Sequence, residues 1–194
     1  MVFDISQEVF SCRVYPGHQH PSKEQLCSLE QGDVCNLTAF SMCAHNGTHV
    51  DAPTHFIKNG KTIDQIELDA CVGDCYVVRR EGDLTAENVH EILEQARMHD
   101  AAERILIVGN AVVTVEAAQA FARERTKLVG IESQAFGADD SSVEVHRILL
   151  GAEVVLLEGL VLEQVPEGKY LLSAVPLNLG GCEGAPCRAV LIQN

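Results

Sequence analysis

Two hydrophobic periods alternate along most of this chain, and that alternation leaves few folds open to it. Short runs rich in Val, Ile, Leu or Tyr and bounded by Gly, Pro or charge occur at CYVVRR (75–80), RILIVG (104–109), KLVGIE (127–132), AEVVLLEGL (152–160), KYLLSAVPL (169–177) and RAVLIQN (188–194). These read as strands. Between the first and second lies TAENVHEILEQARMHD (85–100), with Val89, Ile92, Leu93 and Ala96 on one helical face and Thr85 placed to cap the start. TVEAAQAFARER (114–125), opened by Thr114, separates the second from the third, and SSVEVHRILLG (141–151), ending at Gly151, reads as a shorter third helix. Strands separated by helices predict an α/β layer arrangement. The first 75 residues carry short apolar pieces and many turn residues, and they read as loops and strands on the same core. No linker is visible, so one domain spanning 1–194 is expected.

Composition excludes several classes of partner. The net charge is −14, from 28 acidic and 14 scattered basic residues, so neither a nucleic acid nor an anionic membrane surface is expected. The longest apolar runs are strand-sized, far below the roughly 20 residues of a membrane span. The N-terminus, MVFDISQEVF, carries acid where a signal peptide carries base, which predicts a cytoplasmic protein. Eight cysteines without a CxxC then read as reduced thiols. Cys71 and Cys75 could share a metal only on one helix, and the Gly73-Asp74 between them reads as a turn.

One stretch departs from this ordinary pattern. HNGTHVDAPTHF (45–56) brings His45, His49, Asp51 and His55 together around an Asn-Gly and an Ala-Pro. A continuous helix is excluded by Asn46-Gly47 and Pro53. An extended segment from His49 would put His49, Asp51 and His55 on one side, with the Asn-Gly turn folding His45 back beside them. Imidazoles and a carboxylate suit Zn²⁺, and three protein ligands with a position left for water is the catalytic arrangement. A His-rich surface loop is the alternative. Glu158, between Leu157 and Gly159 at the end of an apolar run, is odd in the same way: an ionised carboxylate in a strand core has to be paired or bind metal. His146 by itself is a lone histidine on a helix. His90 and His99 fall on a polar helix face and read as solvated.

HNGTHVDAPTHF resembles the HxGTHxDxPxHF signature of the cyclase-type metal-dependent hydrolases, which include bacterial kynurenine formamidases and isatin hydrolases, and it matches every fixed position. DIS (4–6), YPG (15–17), KLVGIE, VHRILL, LLEGL, VPLNLGG and EGAPCRAVLI resemble, in order, the other elements of that family. The resemblance implies an α/β, swivelling β/β/α-type domain with a mixed, barrel-like sheet flanked by helices. It also implies two Zn²⁺ ions, with Mn²⁺ as an alternative. His45 and His49 would hold the first, His146 the second, Asp51 and Glu158 would bridge them, and His55 would act as general acid/base.

The implied reaction is cleavage of an amide C–N bond in a small molecule by metal-activated water. An N-formyl aryl amine such as N-formylkynurenine is the implied substrate; a cyclic amide opened as isatin is, or a non-catalytic metal-binding role, are the alternatives. Tyr15 stands where the family commonly has Trp and would stack on an aromatic substrate. His18 and His20 follow YPG where the family has Asp, and read as a polar loop, with a metal or substrate contact as the alternative. GNAVVT and SQAFGADDSS also differ from the family pattern in segments that build its pocket wall. Family members are generally homodimers or homotetramers, with the N-terminal segment contributed across the interface.

Overall fold

The computed structural model describes residues 1–193, so Asn194, the last residue of the RAVLIQN segment, lies outside the described residues. The strands are β1 (Val2–Asp4), β2 (Ser22–Cys27), β3 (Leu37–Ser41), β4 (His49–Asp51), β5 (Val72–Arg79), β6 (Gly82–Leu84), β7 (Arg104–Val108), β8 (Ala111–Val113), β9 (Leu128–Ile131), β10 (Val155–Glu158), β11 (Gly168–Ser173), β12 (Gly184–Pro186) and β13 (Val190–Ile192). The helices are α1 (Leu68–Cys71), α2 (Ala86–Arg97), α3 (Val115–Arg123) and α4 (Ser142–Gly151). Nine strands form one curled mixed sheet in the order β1-β13-β11-β5-β7-β9-β10-β4-β12, a half-barrel rather than a closed one. Strands β2 and β3 make a separate hairpin, and β6 and β8 a small parallel pair.

The centre of the sheet follows from the alternation in the sequence. Strands β5, β7, β9 and β10 are parallel neighbours, and each is joined to the next through one of the helices α2, α3 and α4, as parallel pairing requires. Thr85 and Thr114 cap as expected, accepting from the backbone N–H of Asn88 and Ala117. Because side chains alternate across a strand, each central strand feeds two cores. Val78, Ile105, Ile107, Val129 and Leu156 face Val89, Ile92, Leu93, Phe121 and Leu149 on the helices. Val77, Leu106, Val108, Leu128 and Leu157 point the other way, toward Ile5, Val50, Leu160, Tyr170 and Leu191.

Two expectations need correction. Gly73-Asp74 makes no turn; it lies inside β5. A Cβ on Gly73, whose φ is +148°, would fall 2.6 Å from the guanidinium of Arg104, so the glycine is there to admit a buried arginine. That guanidinium donates to the carbonyls of Ala70 and Asp74 at 3.0 and 3.2 Å and to that of Asp69. Cys71 and Cys75 are buried thiols on two different elements, and burial pushes both up to about 12. The second correction concerns the histidine stretch: the extended backbone stops at Asp51, and Pro53, which fixes φ, starts a 3-10 turn over Pro53–His55.

The expected strands and helices otherwise occur, but some strands are shorter than expected: AEVVLLEGL keeps Val155–Glu158, KYLLSAVPL ends at Ser173, and RAVLIQN keeps Val190–Ile192. Hairpin β2–β3 and the pair β6–β8 had no clear period in the sequence. No helix among the described residues is long and apolar enough to cross a membrane.

Candidate metal centre

Sheet register builds this site. Strand β4 lies between β10 and β12 and pairs antiparallel with both, His49 facing Glu158 and Pro186, and Asp51 facing Leu156 and Gly184. Two segments remote in the chain thus bring carboxylates to the histidine stretch. Helix α4 adds His146 from above the sheet. His45, His49, Asp51, His146 and Glu158 are all buried, which rules out the surface-loop alternative.

The backbone around these residues is locked. Gly159, with φ +68°, turns the chain after Glu158; a Cβ there would meet Gln134 Nε2 at 2.0 Å and the Gly47 carbonyl at 2.3 Å. The Gly159 carbonyl accepts from Thr48 Oγ1 at 2.6 Å and from Gln7 Nε2 at 2.7 Å, and Gln134 Nε2 donates to the Gly47 carbonyl at 3.0 Å. These bonds join the turn before His49 to the turn after Glu158, so the two strands cannot slip.

Ring orientation is set from behind. His49 Nδ1 donates to the Gly47 carbonyl at 2.9 Å, and His146 Nδ1 to the Ser142 carbonyl at 2.7 Å. A carbonyl can only accept, so in each ring the proton sits on Nδ1 and the Nε2 of the neutral ring is a bare acceptor. His49 Nε2 faces Glu158 Oε2 at 3.2 Å and Asp51 Oδ1 at 3.5 Å, and His146 Nε2 faces Glu158 Oε1 at 3.2 Å and Asp51 Oδ2 at 3.9 Å. His45 Nδ1 lies 2.9 Å from Asp51 Oδ1, and its Nε2 lies 3.2 Å from Glu183 Oε1. The His45 ring rests on Gly184, where a Cβ would come within 2.8 Å of its Cε1.

Acceptors pointed at acceptors in a buried space need a cation or protons between them. His49 Nε2 and Asp51 Oδ2 are buried without a hydrogen-bond partner among the described residues. In the protein alone the missing charge has to come from protons. Burial disfavours an imidazolium at His49, but the carboxylates of Glu158 and Asp51 outweigh it and hold the ring protonated up to about 9. His45 and His146 move in the same direction, burial being overcome by Asp51 and Glu158 respectively. Asp51 is held below the usual carboxylate range, its burial outweighed by His45 and His49.

A divalent cation satisfies the same atoms without protons. Two donor sets fit one: His45, His49 and Asp51, and Asp51, His146 and Glu158. Asp51 belongs to both, and the two oxygens of Glu158 face different histidines.

His55 arrives by the 3-10 turn. Its ring stacks on that of His45, with centroids 4.2 Å apart, and Phe56 packs on His146 at 4.6 Å. Burial holds the His55 imidazole below its ordinary pKa, so the ring is neutral at pH 7. Tyr15 and His18 form the outer edge, with ring centroids 5.3 Å apart; His18 lies 6.2 Å from His45, which draws it into the site as the polar-loop reading did not. His90 and His99 stay on the surface, as expected.

A model of the family named "Cyclase" matches residues 3–138. A kynurenine formamidase of Paracidovorax citrulli is 34% identical over 98% of this chain and 96% of its own length. The chain belongs to the cyclase family. A kynurenine formamidase of Erythrobacter litoralis is 28% identical over 98% of this chain and 93% of its own. Among solved structures, a protein from Bacillus stearothermophilus described as a predicted metal-dependent hydrolase superposes with a TM-score of 0.81 at 26% identity, covering 98% of this chain and 97% of that one. Isatin hydrolase A from Labrenzia aggregata shares the fold, with a TM-score of 0.82 at 22% identity over 100% of this chain and 94% of that one.

Within this cyclase-family site the sequence reading missed Glu183 and the contact of Phe136 with His146 and Glu158. Glu183 stands in EGAPCRAVLI, a segment legible only as a strand end, and nothing local connects it with His45. Phe136, from SQAFGADDSS, packs on the far side of His146 with centroids 6.2 Å apart, and its N–H donates to Glu158 Oε1 at 3.1 Å.

Proposed function

We propose that this protein is a metal-dependent amidohydrolase that cleaves an N-formyl aryl amine, such as N-formylkynurenine, to formate and the free amine. The observation that carries the proposal is the pair of buried donor sets sharing Asp51, with the neutral imidazole of His55 beside them. His45 and His49 would hold one ion, His146 the other, and Asp51 and Glu158 both. Zn²⁺ suits these imidazole and carboxylate donors, and Mn²⁺ is the alternative. Bound divalent cations would polarise the amide carbonyl and make water a nucleophile at neutral pH.

The chain's own groups do the rest. His55, neutral at pH 7, takes the proton that water gives up on attacking the carbonyl carbon. It returns that proton to the departing nitrogen, which otherwise leaves very poorly. Phe56 and Phe136 keep the His146 side apolar, and Tyr15, 41% exposed, offers an aromatic face at the mouth.

The single-domain, cytoplasmic and homo-oligomeric expectations stand with this proposal. Phe10, Leu26, Leu37 and Phe40, on or beside the β2–β3 hairpin, are exposed, which supports a dimer or tetramer closed over that region. Sedimentation at micromolar concentration would show the oligomer; a monomer would remove that part of the proposal.

Metal content and turnover of N-formylkynurenine, isatin and other cyclic amides test the function in wild type and His55→Ala. The expected result is near-stoichiometric metal in both proteins and a loss of about 10²- to 10⁴-fold in turnover for the variant. Full metal with no turnover of any compound would refute the substrate class and favour a non-catalytic metal-binding role.

A further inference from the structure

The three histidines of the donor sets are not oriented alike: two rest on backbone carbonyls, and the third meets a side chain that the donor sets leave out. The protons on His49 and His146 are fixed by backbone carbonyls, those of Gly47 and Ser142. Among the described residues His45 has no backbone acceptor in that role. Its Nδ1 faces Asp51, and its Nε2 lies 3.2 Å from Glu183 Oε1.

Glu183 is well anchored for such a task. The carbonyl before it, on Cys182, accepts from Ile63 N at 2.8 Å, its own carbonyl accepts from Ala52 N at 2.9 Å, and Gly184 after it pairs with Asp51. The main chain around Glu183 is thereby tied to the strand that carries His49 and Asp51 and to the start of the His55 turn. Gly184 brings the ring close enough for contact, since any side chain there would push His45 away.

We propose that Glu183 is the positioning residue of His45: it accepts the Nε2–H, fixes the tautomer that leaves Nδ1 bare toward Asp51, and makes this ring the most electron-rich of the three donors. The inference rests on the metal reading of the site. A histidine that gives one nitrogen to a metal commonly donates its other N–H to a carboxylate or a carbonyl, and a carboxylate raises its basicity more. Glu183 is itself no member of either donor set. Its side chain is 45% exposed, so solvent can reach this orienting group.

The test is zinc competition against a chromogenic chelator on wild type, Glu183→Ala and Glu183→Gln, with the melting temperature of each metal-free protein recorded alongside. Glu183→Ala should lower one stepwise zinc affinity by about 10- to 100-fold, with the metal-free melting temperature lowered by no more than about 4 °C. Glu183→Gln keeps an acceptor oxygen and should recover most of that loss. Stepwise affinities within twofold of wild type in Glu183→Ala would overturn the positioning role. Equal loss in both variants would overturn it in favour of direct ligation by the carboxylate. A wild-type protein that binds no zinc or manganese would instead bring down the metal reading on which the inference stands.

Discussion

Replacing Gly184 by Ala tests the geometry of the site with one methyl group. The added Cβ would lie 2.8 Å from His45 Cε1, 3.3 Å from its Nδ1 and 3.0 Å from the Val50 carbonyl, where ordinary contacts begin at 3.4 Å. The backbone side is fixed by β12 pairing with β4, so the ring has to yield by about 0.6 Å, and it is already confined by His55, Asp51 and Glu183. A site of this kind tolerates about 0.5 Å of misplacement, and 1 Å costs about 10²-fold in rate. Gly184→Ala should therefore lose about 10- to 100-fold in turnover.

Overpacking costs about 1–3 kcal/mol, offset by about 0.4–1 kcal/mol from the stiffer unfolded chain. At about 2–4 °C per kcal/mol for a chain of this size, the melting temperature falls by less than about 10 °C. Gly151→Ala is the control: its Cβ meets only Ile57 Cδ1, at 3.7 Å, within a helix. That variant should be stabilised by about 0.4–1 kcal/mol with turnover unchanged. Steady-state kinetics, zinc competition and thermal melts on the two variants decide the matter. Wild-type affinity and turnover in Gly184→Ala would refute the placement of His45 against β12.

Removal of metal should destabilise the fold through the same buried acceptors. With free metal at about 1,000 times its dissociation constant the bound state gains about 4 kcal/mol, so a chelator should lower the melting temperature by about 8–16 °C. A melt indifferent to chelator would contradict the two donor sets. The buried thiols make a separate prediction. With the buried Cys71 and Cys75 pushed up to about 12, only about one in ten thousand of each is thiolate at pH 8. Brief iodoacetamide treatment followed by mass spectrometry should label exposed Cys35 and spare those two; labelling of Cys71 in the native protein would refute its burial.

The sequence by itself determined the layer order and one half of the site. Periods of two and of 3.6 are properties of chain neighbours, so β5, β7, β9 and β10 and the helices between them were legible, as were His45, His49 and Asp51 within a single stretch. The resemblance to a family then supplied His146 and Glu158, whose own surroundings say only that a carboxylate ends an apolar run and that a helix carries a histidine. Tertiary structure decided what local pattern cannot encode. Antiparallel register set Glu158 opposite His49 and Gly184 opposite Asp51, and so delivered Glu183 to His45. Pro53 turned His55 onto His45 by a 3-10 turn where an extended chain was expected. Gly73 served a buried arginine from another strand, where its sequence neighbours read as a turn. The Pro53 turn is local, but in the other cases the deciding contact joins residues far apart in the chain, and such contacts are fixed only when the sheet pairs and its two cores close.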